Sequence, residues 1–400
     1  MINLELAKKH SETLEQTMML AEHMMRPYSR KYDKEEHTYP KEMEQVAELI
    51  GGARSNATAS PKEKPAPGTV VNGGNMGAVV GLFGLCWGDV GLFLGMPGSG
   101  LGNAAISAVG TPEQVKKYGG RYAAMCITEP GTGSDSANIS TTAVLDGDEW
   151  IINGEKIYVT DGDRADTLVV WATLDKSLGK AAIKSFIVEK GTPGCEVTRL
   201  EHKLGIRASD TAAISFSDCR IPKDNILGSA EVATDAEGRK KAFGGVMQTF
   251  DNTRPPVAAM AIGVSRAALD MSREILLGEG VELSFERKPI NLSAVEAELA
   301  RMEAEWHAAR LLVLKAAWMA DNKQPNSMEA SMCKAKAGRV GNDITLRCVA
   351  LCQSQGYSEQ HLLEKFARDS KILDIFEGTQ QIQQLIVARR ILGKSSSELK

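Results

Sequence analysis

The chain has 400 residues, 43% hydrophobic and 24% charged, with a net charge of −4. A prior of about 150 residues per domain predicts two or three domains, and the hydrophobic share excludes global disorder. The slightly acidic balance, with no long basic run, excludes nucleic-acid binding by bulk charge and a polybasic membrane anchor.

The N-terminus reads MINLELAKKH, with no basic segment leading into an apolar one, so no secretory signal is expected. Leu4 to Met25 and Glu42 to Ile50 carry apolar residues at mixed three- and four-residue spacing, which predicts helices. Gly51 to Gly74, with PKEKPAPG at 61–68, predicts an exposed loop. Gly77 to Ala108 is apolar on all sides, as buried helices are. Asp89 and many glycines break it short of the ~20 continuous apolar residues of a membrane span, so no stable membrane insertion is expected. Thr111-Pro112-Glu113-Gln114 predicts a helix start, with Thr as cap, Pro at the first position and Gln closing a capping box.

From about 125 the period changes. Val144–Leu145 and Trp150–Ile152 flank Asp146-Gly147, a hairpin signal, and Asn153-Gly154 and Asp161-Gly162 read as further turns. Leu168 to Thr173, Ser185 to Val188 and Ala212 to Phe216 predict strands. After about 235 helical patterns return at Ala258–Leu277, Ala294–Ala320, Ser327–Gln353, His361–Leu373 and Thr379–Leu392, the last stopping at Gly393. The expectation is an α+β multidomain chain. A helical domain spans 1–124, an antiparallel β-sandwich or barrel spans 125–232, and an antiparallel helical bundle spans 233–400. Helices do not alternate with strands, which argues against a doubly wound sheet.

Seven scattered cysteines without a CxxC fit reduced thiols in a cytoplasm. Cys348 and Cys352 share a helix face, as buried hydrophobes or as a redox pair. The six histidines form no HxxxH or HxH pair, so no metal site is expected. Gly100-Leu101-Gly102-Asn103-Ala104-Ala105 fits a dinucleotide fingerprint, but Pro97 sits just upstream where a strand is needed, and Glu129, at the distance of a ribose acid, opens a glycine-rich loop. Close helix packing through small residues accounts for it better.

Two glycine-bearing segments follow strands. Met125 to Asp135 (MCITEPGTGSD) runs from a strand into a turn whose backbone can approach a ring or a phosphate; an ordinary turn is the alternative. Gly154 to Gly162 (GEKIYVTDG) ends a strand with an aromatic and a hydroxyl residue. Near the C-terminus, DIFEGTQQ (374–381) sets Glu377 among apolar groups before Gly378. Such a carboxylate is raised in pKa and suits a general base; a helix-end glutamate stabilised by the helix dipole is the alternative.

CITEPGTGSD (126–135), INGEKIYVTDG (152–162), FDNTRPPVAAMAIG (250–263) and EKFARDSKILDIFEGTQQIQ (364–383) together resemble the acyl-CoA dehydrogenase family, in order and spacing over nearly the whole chain. The resemblance implies a helical domain, a β-domain and a C-terminal four-helix bundle, with FAD between the last two, in tetramers. It implies that Met125, Cys126, Ile127, Thr128, Gly133 and Ser134 touch the flavin, Ser134 also reaching the acyl-CoA. Tyr158, Val159 and Thr160 would shield and hydrogen-bond the isoalloxazine. Asp251, Arg254 and Gly378 would contact the substrate, Arg254 at its CoA portion. Arg287, Gln353 and Gly356 would reach the FAD of a neighbouring subunit, and Thr379 and Gln381 the adenosine side. Glu377 matches the family base, which removes an α-proton while a hydride leaves Cβ for flavin N5. The position where some relatives carry the base instead is Thr253 here, which cannot serve.

Three departures fall at cofactor contacts. Tyr158 stands for the usual Trp, Gly356-Tyr357 for a Gly-Gly, and Pro289 for a hydroxyl after Arg287-Lys288. The implied activity is a cytoplasmic, FAD-dependent acyl-CoA dehydrogenase that forms a trans double bond between Cα and Cβ and passes electrons to an electron-transfer flavoprotein. The alternatives are a half-site partner subunit of a hetero-oligomeric dehydrogenase, and an acyl-CoA oxidase or flavin monooxygenase on the same fold.

Overall fold

The computed structural model describes residues 6–59, 72–98, 100–232, 236–284, 286–395 and 398–399, with the side chains of 52–59 and 236–252 excepted. Helices come first: α1 (Lys8–Met24), α2 (Ser29–Lys34), α3 (Glu42–Ala59), α4 (Gly74–Gly88), α5 (Val90–Leu94), α6 (Leu101–Val109) and α7 (Pro112–Tyr118). The expected loop after residue 50 begins later than the composition suggests, because α3 continues through Gly51–Ala59; residues 60–71 lie outside the described residues. In α4, the side chains of Val79, Val80, Phe83, Cys86 and Trp87 are all buried, as its all-round apolar sequence requires. The start of α7 carries the expected capping box: the Thr111 hydroxyl accepts from Gln114 N at 3.2 Å, and Gln114 Oε1 accepts from Thr111 N at 2.9 Å. A Cβ on Gly102 would lie 2.6 Å from Ala123 O, so the glycines of the GxGxxA segment let α6 lie against the sheet.

Seven strands follow: β1 (Ala123–Cys126), β2 (Thr142–Asp146), β3 (Glu149–Thr160), β4 (Thr167–Thr173), β5 (Ile183–Glu189), β6 (Cys195–Leu200) and β7 (Thr211–Pro222). They form one curled sheet in the order β1-β4-β2-β3-β7-β6, with β5 on β4. Four of the pairings are antiparallel, including the β2–β3 hairpin about Gly147. Two are parallel: β1 along β4, and Thr142 with Thr173. Sequence texture did not reveal these, since pairing direction depends on how the chain returns. Asn153-Gly154 is not a turn. It lies inside β3, where Gly154 at φ +151 sits beside a bulge opposite β7. The short, mostly exposed edge strand β6 went unread because it lacks an apolar alternation. Inside the sheet Trp150 meets Phe186 edge-on at 5.3 Å, and its Nε1 donates to Lys223 O.

The C-terminal part holds α8 (Ala236–Gly278), α9 (Ala294–Asp321), α10 (Ser327–Leu351), α11 (Gln353–Tyr357), α12 (Leu363–Ser370) and α13 (Gln380–Leu392). Helix α8 begins well before the expected Ala258 and runs through Pro255-Pro256, each of which removes one ladder hydrogen bond. Helices α8, α9, α10 and α13 make the bundle, and one core joins α4, α8, α9, α10 and α12. Helix α13 ends at Gly393, φ +64, where the sequence predicted its stop.

A short helix clasps the three parts together. On α12, Lys365 Nζ donates to Asp89 Oδ2 (2.7 Å), between α4 and α5, and to Asp369 Oδ2 (2.6 Å). Asp369 Oδ1 accepts from Ile206 N, in the segment between β6 and β7. Arg368 donates to Leu204 O at 2.8 Å and pairs with Asp33 of α2 at 2.6 Å. All three members of the Lys365–Asp89–Asp369 cluster are essentially without surface exposure, so each ion relies on the others in place of water.

Candidate active site

The last polar motif sits where α13 begins. Glu377 at φ +57 and Gly378 at φ +91 form a left-handed turn ahead of the helix. A Cβ on Gly378 would lie 2.5 Å from Gln383 Nε2, so only glycine follows the glutamate without displacing that amide. Thr379 caps α13, its hydroxyl accepting from Ile382 N. Gln383, buried one turn on, donates to Glu377 O at 3.0 Å and to Gly378 O at 3.2 Å. Gln380, in the orientation that satisfies its amide, donates to Asp374 Oδ1 and Ala335 O at 2.9 Å each.

The Glu377 side chain turns toward α8. Thr253 Oγ1 donates to its Oε2 at 3.1 Å. Next to Thr253, Arg254 is buried and donates to Ser331 of α10 at 3.3 Å. From α10 the buried Lys334 donates to Gly378 O at 2.8 Å. Desolvation pushes the Glu377 carboxyl up from its ordinary value; the Thr253 hydroxyl and the Arg254 and Lys334 charges oppose that rise. The result is a half-buried carboxylate with raised proton affinity and a fixed backbone, which can take a proton from a weak carbon acid. Asp251 lies on α8, but its side chain is outside the described residues.

A second group gathers at the sheet. Met125 and Cys126 end β1; Met125 is half-buried, and the buried Cys126 faces the sheet core, leaving its backbone as the available surface. Ile127 and Thr128 continue along β3, where Ile157 N donates to Thr128 O at 2.8 Å. Beyond them Glu129 is buried. It accepts from Lys156 Nζ (2.8 Å), Thr141 N (2.9 Å) and Ser140 N, while Lys156 also donates to Ile127 O. One member of the pair lies in each of the two glycine-bearing motifs, and the ion pair ties the two together. Gly133 and Ser134 are exposed beyond it. At the end of β3, Tyr158 is 62% exposed with φ +56, Val159 is buried opposite Ala212, and Thr160 is half-buried. The Met125–Ser134 segment is joined to β3 through Lys156 and Ile157, just ahead of Tyr158–Thr160.

Arg287, Gln353 and Gly356 make their described contacts elsewhere. Arg287 pairs with Glu282 and Glu296 around the α8–α9 connection. Gln353 is exposed at φ +47, and a Cβ on Gly356 would lie 2.2 Å from Val349 O, a packing reason for that glycine. Gln381 is exposed on α13. Glu36, His37 and His202 come together in space although the histidines are far apart in sequence. The Glu36 carboxylate there is already bonded to Lys203 N, His202 and Arg207.

Sequence reasoning missed Lys334 and Gln383. Lys334 interrupts the buried stripe Ala330, Cys333, Ala337, Ile344 on α10, which was the available signal.

The chain matches the family models "Acyl-CoA dehydrogenase, middle domain" over residues 124–219 and "Acyl-CoA dehydrogenase, C-terminal domain" over residues 243–392. It is similar to the mitochondrial short-chain specific acyl-CoA dehydrogenase of Bos taurus, 36% identical over 293 residues that span 72% of this chain and 68% of that one. It is also similar to the acryloyl-CoA reductase (NADH) of Anaerotignum propionicum, 35% identical over 298 residues, 72% and 73% of the two chains. The solved butyryl-CoA dehydrogenase of Megasphaera elsdenii superposes with a TM-score of 0.82 at 28% identity, covering 98% of this chain and 100% of that one. The chain belongs to the acyl-CoA dehydrogenase family. It is accordingly an oxidoreductase of the flavoprotein class acting on acyl-CoA.

Proposed function

We propose that the chain binds FAD and forms a trans double bond between Cα and Cβ of an acyl-CoA thioester, with Glu377 as the base. The observation that carries this reading is the Glu377 carboxylate, desolvated and held by Thr253 on a fixed left-handed turn. Removing an α-proton from a thioester needs a base of raised pKa and a donor for the carbonyl oxygen as charge develops there. Glu377 supplies the first, and its backbone N–H is the donor assigned to the second. Arg254 and Asp251 are assigned to the CoA portion, with Ser134 and Gly378 beside the acyl group.

The sheet residues fit a flat cofactor. Gly131 has open space where a Cβ would stand, and Gly133 meets only Thr128 Cγ2 at 4.0 Å, so the loop leaves its backbone accessible. Tyr158 is exposed, and Thr128, Ser134 and Thr160 carry hydroxyls on the same two segments. Met125–Thr128, Gly133–Ser134 and Tyr158–Thr160 would hold the ring, Thr379 and Gln381 the adenosine side, and Arg287, Gln353 and Gly356 a neighbouring subunit's FAD. When bound, FAD supplies the acceptor for the hydride leaving Cβ. The same reading assigns an electron-transfer flavoprotein as electron acceptor and a tetramer as the working form. Among the described residues no helix is long and apolar enough to cross a membrane.

The test is anaerobic flavin bleaching of the purified chain by a panel of acyl-CoAs. Glu377→Gln should retain FAD and lower the bleaching rate by roughly 1,000-fold or more. Undiminished bleaching would refute the assignment. A colourless chain that takes up FAD only beside a second polypeptide would favour the half-site partner instead.

A further inference from the structure

Lys334 is 1% exposed, yet among the described residues no carboxylate lies within ion-pair distance of it. Its Nζ is spent instead on a backbone carbonyl, that of Gly378, immediately after the base. A buried ammonium is costly unless its charge is used. The Gly378 carbonyl does not need it for satisfaction, because Gln383 Nε2 already reaches the same oxygen. The contact is intimate: a Cβ on Gly338, one turn along α10, would lie 2.8 Å from Leu373 O, so α10 is pressed against the segment leading to Glu377.

The charges facing Lys334 come from two elements besides its own. Arg254 faces it from α8, and Asp374 and Glu377 from the segment before α13. The buried α13 residues there, Gln380 and Gln383, are neutral, and the Asp251 side chain lies outside the described residues. We propose that Lys334 is a positioning residue for the base: its ammonium clamps the Gly378 carbonyl, fixes the left-handed Glu377–Gly378 turn, and sets a positive charge facing the Glu377 carboxylate. This rests on the reading of Glu377 as the base. Burial pulls the Lys334 pKa down to about 8, against the attraction of Asp374 and Glu377, so the group is still mainly protonated at neutral pH. Its charge in turn lowers the pKa of Glu377, against desolvation.

The sign of the effect follows. Turnover falls as pH drops through the Glu377 pKa; removing the Lys334 charge raises that pKa, so the acid limb moves to higher pH. The experiment is the pH dependence of the bleaching rate in FAD-loaded protein. Lys334→Gln, which keeps a donor but no charge, should move the acid limb measurably to higher pH, with FAD content unchanged. Lys334→Arg, which keeps the charge, should leave the limb at its wild-type position. Should Lys334→Gln fail to fold, Lys334→Met is read in the same way. A neutral variant with lower FAD retention or thermal stability and an unmoved acid limb would reduce Lys334 to a structural role and overturn the proposal. Glu377→Gln separates the two claims: if it bleaches normally the base assignment fails, whereas an inactive Glu377→Gln beside an unmoved limb sinks only Lys334.

Discussion

Lys365 on α12 and Lys334 on α10 stand on adjoining helices of the C-terminal part, each 1% exposed, and the protein treats them in opposite ways. Lys365 lies between two carboxylates, and their attraction outweighs desolvation, so its pKa rises. Lys334 is given a carbonyl, and desolvation wins, so its pKa falls to about 8. A buried cation between carboxylates is a joint: it holds domains and does little else. One left beside a polar backbone turn spends its field on whatever sits next to it, here Glu377.

The largest difference should appear in stability. Lys365→Met leaves Asp89 and Asp369 as buried carboxylates without a cation and should cost about 3–5 kcal/mol, read as a lowered midpoint in urea unfolding. A loss under 1 kcal/mol would mean that the cluster is not the joint described. Thr379→Ala removes only the cap of α13 and should cost about 1 kcal/mol in the same assay. Lys334→Met should be smaller still at pH 7, within about 1 kcal/mol of wild type, because Gln383 keeps the Gly378 carbonyl satisfied and a desolvated charge is removed. Its pH dependence is diagnostic. The folded-state pKa of Lys334, about 8, lies below the ordinary lysine value of 10.5. Between them the unfolded chain binds more protons, so stability rises with pH and wild type should gain on Lys334→Met over that window. No gain in unfolding titrations at pH 8 and pH 10 would remove the contrast between the two lysines.

Local chemistry was readable in the sequence. The Thr111–Gln114 box, the Asp146-Gly147 hairpin and the Gly393 stop each depend on a few adjacent residues, and each stands where expected. Asn153-Gly154 misled because the same dipeptide chemistry serves a bulge within a long strand as well as a turn. The helix expected from Ala258 starts far earlier, since α8 runs from Ala236 through Pro255-Pro256. In the candidate site, Glu377 and its glycine were legible as a motif, whereas Thr253 entered only through the family resemblance, as an alternative base position that cannot serve. The partners that set the behaviour of Glu377 were not. Lys334 lies more than forty residues upstream and Gln383 reads as an ordinary helix amide; only packing α10 against α13 gives either a role.

The clasp on α12 also constrains how this protein is made. Asp33 waits for a partner 335 positions later, and Asp89 for one 276 positions later. Until nearly the whole polypeptide has left the ribosome, Asp89 lacks Lys365 and Asp33 has only the local Arg30, and the face that α12 will cover stays open. Closure of the three parts must therefore be a late step in biogenesis, one in which a newly made chain has most need of chaperones.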